Sequence, residues 1–241
     1  MPYRLQPRPL LFFLLSLPFL LSAQEVIETG FGLELFPNVS NRRLAAGSDL
    51  VLDQLVALDS LENATFGYGI GLVYDNRLDK LGYTVGLRAG QAGYRTLEQR
   101  IGDPLDNRGF RITTRTRFLT VPLEINFFQD ISEKDRVLFF FGGEAHLHLS
   151  TRIRRQDFAE GREIDDVLLP ESDAVEYRAA QFSLSTGLGY DRKLSNEWAF
   201  RLQPTARFFL SSNTKRDEVD RVGRSYYQLG LRLTVRRIRV F

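Results

Sequence analysis

The chain predicts an all-β fold, an eight-stranded antiparallel up-and-down transmembrane β-barrel with short periplasmic turns and long extracellular loops, on three observations. Apolar and polar residues alternate with period two over eight segments, the pattern of strands with one greasy and one polar face. Long and short connections alternate between those segments, as in barrels that keep tight turns on one side of a membrane and long loops on the other. The polar positions also carry full charges. A soluble ligand-binding barrel would bury these in an apolar calyx at high cost, whereas paired charges in a wet lumen cost far less.

The opening "MPYRLQPRPLLFFLLSLPFLLSAQE" reads as a secretory signal peptide, with Arg4 and Arg8 ahead of an apolar run from Leu10 to Leu21 and a small-residue exit at Ser22-Ala23. Cleavage after Ala23 divides the chain into a signal peptide, 1–23, and one barrel domain, 24–241. No later segment approaches the roughly 20 apolar residues that a spanning helix needs, so insertion is expected through strands. The chain contains no Cys, which removes disulfides, thiolate catalysis, Cys-based zinc sites and a lipid-anchored N-terminus. Its 32 basic and 30 acidic residues come close to balance once Arg4 and Arg8 leave with the signal. A near-neutral domain argues against a nucleic-acid partner.

The first segment, "IETGFGLELF", sets Phe31, Leu33 and Leu35 against Gly30, Gly32 and Glu34. The second, "FGYGIGLVYD", sets Phe66, Tyr68, Ile70, Leu72 and Tyr74 against Gly67, Gly69 and Gly71. No helix follows these glycines to make a phosphate cradle, and they read instead as room inside a narrow barrel. The third, "LGYTVGLRAGQAGY", places Leu81, Tyr83, Val85, Leu87 and Ala89 opposite Gly82, Thr84, Gly86, Arg88 and Gly90. In the fourth, "RFLTVPLEINFF", Leu119, Val121, Leu123, Ile125 and Phe127 oppose Thr120, Pro122, Glu124 and Asn126. Pro122 cannot donate to a ladder, so a bulge or bend is expected there.

The fifth segment, "VLFFFGGEAHLHLS", is apolar on both faces at its centre, and its outer half sets Ala145, Leu147 and Leu149 against Glu144, His146 and His148. "FSLSTGLGYD" is the sixth. The seventh, "WAFRLQPTARFFL", opposes Trp198, Phe200, Leu202 and Phe208 to Arg201, Gln203, Thr205 and Arg207, and the eighth, "YQLGLRLTV", opposes Tyr227, Leu229, Leu231 and Leu233 to Gln228, Gly230, Arg232 and Thr234. The closing "RRIRVF" puts Arg237 and Arg239 on the parity of lipid-facing Leu233. The last strand is therefore expected to end near Val235 or to change register at a bulge, with Phe241 as an aromatic insertion signal.

The short turns are "DNRLDK", "QDISEKDR" and "DRKLSNE"; the long connections lie around "NRRLAAGSDLVLDQLVALDSLEN" and at Arg95–Ile112, Arg152–Arg178 and Ser211–Arg224. Tyr74, Tyr83, Phe127, Tyr190 and Trp198 sit at strand ends beside the short turns, where an interfacial aromatic girdle would be.

With these segments in place, "FLTVPLEINFF" resembles the Tyr-Leu-Glu-Ile-Pro-Leu-type strand of the PorT-like, more broadly OmpA-like, small outer-membrane β-barrel proteins of Bacteroidetes, and "VLFFFGGEAHLHL" resembles the strand that follows it there. "FSLSTGLGYDRKLSNEWAFRLQPTARFFLS" looks like that family's next hairpin. The resemblance covers roughly Gly30 to Val235 and implies a porin-like barrel in the outer membrane of a Gram-negative bacterium, exported by a cleavable signal peptide.

The lumen face gathers Glu34, Arg88, Glu124, Glu144, Arg201, Arg207 and Arg232, which reads as a salt-bridge network that stabilises and plugs a barrel this narrow rather than as a permeation filter. His146 and His148, with Glu144 and Ser150 on the same expected face, admit a second reading as a lipid- or lipid A-modifying enzyme, or as a metal pair lacking a third ligand. The Asn38-Val39-Ser40 sequon is one that a bacterial chain would rarely use. The leading expectation is a non-enzymatic barrel without cofactor or metal, acting structurally or through a protein partner at its extracellular loops. Its other partners would be outer-membrane lipid, lipopolysaccharide and, during insertion, the barrel-assembly machinery. The charge-dense "IRRQDFAEGREIDDVLLPESDAVEYR" is the loop that most invites docking.

Overall fold

A computed structural model describes residues 28–45, 61–101, 107–169, 177–212, 214 and 223–241; the expected signal peptide and part of every long connection lie outside these residues. The described chain is all strand: β1 (Glu28–Leu35), β2 (Asn38–Ala45), β3 (Glu62–Gly67), β4 (Gly69–Leu78), β5 (Leu81–Thr96), β6 (Gln99–Arg100), β7 (Arg108–Asp130), β8 (Asp135–Ala159), β9 (Arg162–Leu169), β10 (Ala180–Lys193), β11 (Trp198–Phe209) and β12 (Gly223–Val240). All pairings between them are antiparallel.

The pairings run β1-β4-β5-β7-β8-β10-β11-β12, and β12 returns to β1 from Glu28↔Val240 to Leu35↔Leu233. β2 prolongs β1 along β12, and β3 prolongs β4 between β2 and β5. The eight expected staves therefore close into a ring, and no strand at its waist is left with an unpaired edge. The joint between β1 and β2 at Phe36-Pro37 is held by mutual backbone hydrogen bonds between Phe36 and Gly69, while the Pro37 carbonyl accepts from Leu231 N–H at 3.0 Å.

One end of the ring carries short connections: Asp79-Lys80, with Asp79 at φ 59°, then 131–134 and 194–197. At the other end β7 and β8 run far past their neighbours, and β8 folds back on β9 through Glu160-Gly161, both at positive φ as a tight hairpin turn requires.

The two faces reverse the usual polarity of a globular fold. Phe31, Leu72, Leu123, Phe139, Leu188 and Leu229 point outward and are exposed, whereas Glu34, Arg88, Glu124, Glu144, Arg201 and Arg232 point inward and are buried. Glycine makes part of this possible. A Cβ on Gly142 would lie 2.6 Å from Glu124 Cγ and 2.6 Å from the Leu123 carbonyl, so the bare backbone there is what admits the Glu124 side chain.

Several sequence expectations need correction. The first long connection is shorter than expected, because Asn38–Ala45 and Glu62–Gly67 are strands. Likewise Arg108–Ile112 and Arg152–Ala159 continue β7 and β8, and Arg162–Leu169 is a strand within what reads as a surface loop. Beyond the apolar belt charged residues enter both faces of the strands, and the period-two signal fades although the ladder continues.

Pro122 sits opposite Glu144 in unbroken register, so there is no bulge at the proline; pairing with β5 merely lapses across Gly86 and Leu87 and resumes at Arg88↔Thr120. The β7–β8 bulge lies instead between Arg117 and Phe118. β12 neither ends near Val235 nor bulges. It runs in register to Val240, turning Arg236 and Ile238 inward and Arg237 and Arg239 outward, where Arg237 meets Glu197 at 3.0 Å.

Replacing Gly142 with Val is expected to destabilise the folded barrel by roughly 1–3 kcal/mol through the clash with Glu124 and the β7 backbone. Urea unfolding followed through the single tryptophan, Trp198, measures it.

Candidate functional site

The inward residues of β8 name the layers of the interior in order: Arg136, then Leu138 and Phe140, then Glu144, His146 and His148. The first layer, at the short-turn end, opposes Glu28, Asp75 and Asp191 to Arg136, Arg201 and Arg236. Arg136 reaches Glu28 at 2.8 Å, Arg201 donates to Asp191 at 2.8 Å and lies 3.3 Å from Asp75, and Arg236 donates to Asp75 at 3.0 Å and also pairs with Asp191. Above it Phe128, Leu138 and Phe140 form an apolar floor.

The second charged layer opposes Glu34, Glu124 and Glu144 to Arg88, Arg207 and Arg232. Arg88 stands at its centre, with Nε 2.7 Å from Glu34 and one Nη 3.0 Å from both Glu124 and Glu144. Arg232 binds Glu124 at 2.7 Å and lies over the Phe140 ring at 4.2 Å; Arg207 binds Glu144 at 2.7 Å and donates to Gln228 at 2.7 Å. Each layer holds as many acids as arginines. Taking one such ion from water without a partner costs several kcal/mol, and mutual pairing offsets that cost only while each set stays complete.

Next comes His146, 1% exposed, with Nδ1 2.8 Å from the Thr120 hydroxyl, Nε2 2.7 Å from the Ser183 hydroxyl and its ring stacked on Phe209 at 4.4 Å. Phe118, Phe209, Tyr226 and Ala92 cap this layer, and the Tyr226 hydroxyl is tied to Thr116 at 3.0 Å. A cavity of about 20 Å³ remains between His146 and the second charged layer, room for about one water.

Six of the seven lumen charges legible in the sequence thus meet in one layer, and Arg201 belongs to the other. Glu28, Asp75, Arg136, Asp191 and Arg236 were missed. Asp75, Arg136 and Asp191 lie near the short turns, where a charge reads equally well as turn polarity; Glu28 opens β1, and Arg236 continues the parity of Arg232 and Thr234 in β12.

The histidine set comes together only in part. His146 Nε2 is 3.8 Å from Glu144, but the β7–β8 bulge makes Leu149 the extra residue, pairs Ser150 with Arg117 on the outer face and gives Thr151 the inward position. The hydroxyl that meets His148 Nε2, at 3.0 Å, is accordingly Thr151. Among the described residues no group of three or more His, Cys, Asp or Glu is arranged to hold a metal ion.

No family model matches the chain, and no curated protein sequence matches it. Among solved structures it is similar to the Neisserial surface protein A (9% identity over 86% of this chain and 96% of that one, TM-score 0.39). It is also similar to the outer membrane protease OmpT from Escherichia coli (7% identity, 89% and 97%, TM-score 0.37) and to the outer membrane protein OprG from Pseudomonas aeruginosa (12% identity, 88% and 97%, TM-score 0.34). At such scores the functional reading rests on the residues of this chain.

Glu124→Ala would leave Arg88 and Arg232 short of a carboxylate inside the ring. A loss of roughly 3–5 kcal/mol in unfolding free energy is expected, against little change for the exposed pair partner substitution Glu197→Ala.

Proposed function

We propose that the mature chain is an integral outer-membrane β-barrel with a plugged lumen, serving a structural or partner-interaction role through its extracellular end. The observation that carries this reading is the reversed polarity of a closed ring, with charge paired inside and Leu, Ile, Val and Phe outside. In water such a surface would be an aggregation hazard. In a bilayer it is the required one, and the ring removes the unpaired edges that lipid cannot satisfy. The short-turn end would face the periplasm and the long, strand-braced end the exterior. Membership of the PorT-like barrels of Bacteroidetes fits the strand motifs and forms the finer part of the proposal.

Among the described residues two charged layers, separated by an apolar floor and capped by an aromatic cluster, fill the interior, which supports a barrel that does not conduct. The non-enzymatic reading is supported by His146 being buried between Thr120, Ser183 and Phe209, and by Ser150 facing away from it. Among the described residues the hairpin of β8 and β9 reaches farthest past the ring. Arg154 donates to Asp166 across it at 2.5 Å, and this hydrogen bond holds the Asp166 carboxyl below its usual range.

The detergent-extracted chain is expected to migrate differently on a denaturing gel with and without boiling, and Leu123→Arg, at the middle of the apolar belt, to cost about 2–4 kcal/mol in lipid. Recovery in the soluble fraction with no mobility shift would overturn the membrane reading. His146→Ala and His148→Ala are expected to leave lipid A structure unchanged by mass spectrometry; altered lipid A would favour the enzyme.

A further inference from the structure

Just beyond the apolar belt the outer wall turns abruptly basic. On β5, β7 and β8 the outward positions Ala89, Leu119 and Leu147 lie on one row of the ladder. Toward the long-loop end the outward side chains include Arg117 and Arg115 on β7, Arg152 and Arg154 on β8 past Leu149 and Ser150, and Arg95 on β5 past Gln91. All five line a single hollow on the outside of the barrel, which Tyr68 borders on the belt side and Leu168 of the β8–β9 hairpin on the other. Its volume is about 440 Å³.

The arrangement is electrostatically unfavourable as it stands. Arg115 and Arg152 are direct cross-strand partners, and like charges placed so destabilise a sheet. Arg154 is matched by Asp166, but among the described residues Arg95, Arg115, Arg117 and Arg152 have no acidic partner and no side-chain hydrogen bond. This contrasts with the interior, where every arginine has its carboxylate. Four unmatched guanidinium groups in one hollow call for an anion with several acceptor oxygens, and guanidinium binds phosphate in two-pronged fashion.

The position of the hollow narrows the choice of anion. Exposed Tyr68 lines it, and exposed Leu147 and Leu149 precede Arg152 along β8 on the belt side, so a molecule seated there meets charge with hydrocarbon close by. Resting on the membrane reading above, we infer that this wall binds a phosphorylated lipid of the outer leaflet, of the lipopolysaccharide class. The phosphates lie among Arg95, Arg115, Arg117 and Arg152, and the acyl chains run down the belt beside Leu119 and Leu147. The long β7 and β8 strands then serve to carry the arginines to headgroup height on a rigid sheet rather than on a loop.

The test uses the full chain extracted in mild detergent, with diphosphoryl and dephosphorylated lipid A added in parallel and retention measured by native mass spectrometry. The chain is expected to retain the diphosphoryl form on the order of tenfold better, a preference lost in the Arg95→Gln, Arg115→Gln, Arg117→Gln, Arg152→Gln variant and partly kept when the same four become Lys. Arg237→Gln with Arg239→Gln, outward at the opposite rim, is expected to change nothing. Equal retention of both lipids would overturn the inference, as would complete displacement by millimolar inorganic phosphate, which would mark a free-anion site, or a preference for an anionic polysaccharide without acyl chains. A boiled and unboiled gel lane of each sample separates this failure from failure of the barrel itself: a shifted band without lipid preference rejects the lipid site alone, and no shifted band rejects the membrane reading.

Discussion

The fold depends on the pairing of charge inside a closed ring. A barrel of eight strands is too narrow to hold a bulk water column and too polar inside to collapse on hydrocarbon alone. Its interior must therefore satisfy itself, and it does so in two sets of three acids and three arginines. Each set spans the lumen and links strands far apart in sequence: Arg88 joins Glu34, Glu124 and Glu144 from three other staves, and Arg236 near the end of the chain meets Asp75. The ladder closes the ring by hydrogen bonds between neighbours, whereas the ion sets fix opposite walls at one spacing.

Other features follow from that constraint. Glycines appear where a guanidinium or carboxylate must cross the backbone closely, as Gly71 does beside Arg88 and Gly142 beside Glu124. Aromatic rings separate the charged layers and lend their faces to the guanidinium groups, with Arg232 over Phe140 and Arg207 over Phe36 at 4.9 Å. His146 joins this packing, with both ring nitrogens at neighbouring hydroxyls and its face on Phe209.

The same bookkeeping separates the inside from the outside. Inner arginines are matched by carboxylates, while Arg95, Arg115, Arg117 and Arg152 on the outer wall have no acidic partner among the described residues, and Arg115 faces Arg152 directly. The ladder and the ion sets give no internal role to four unmatched arginines gathered on that wall, and this is the observation behind the proposed phosphorylated-lipid site.

Strand existence, the two faces and their polarity were legible in the alternation of "RFLTVPLEINFF" and its seven companions, because a strand in a barrel wall exposes every second residue to one medium. So were most of the lumen charges, which share the parity of glycine and oppose that of leucine. Tertiary structure alone decided which acid meets which arginine, since the partners of Arg88 lie 36 to 56 residues away and are set by register around the ring. It also decided the bulge that turns Ser150 outward, a one-residue slip that changes a side chain's face without any mark in composition. The strands beyond the belt were hidden for a related reason. Where both faces meet water, hydrogen bonding to a neighbour rather than side-chain pattern holds the chain extended.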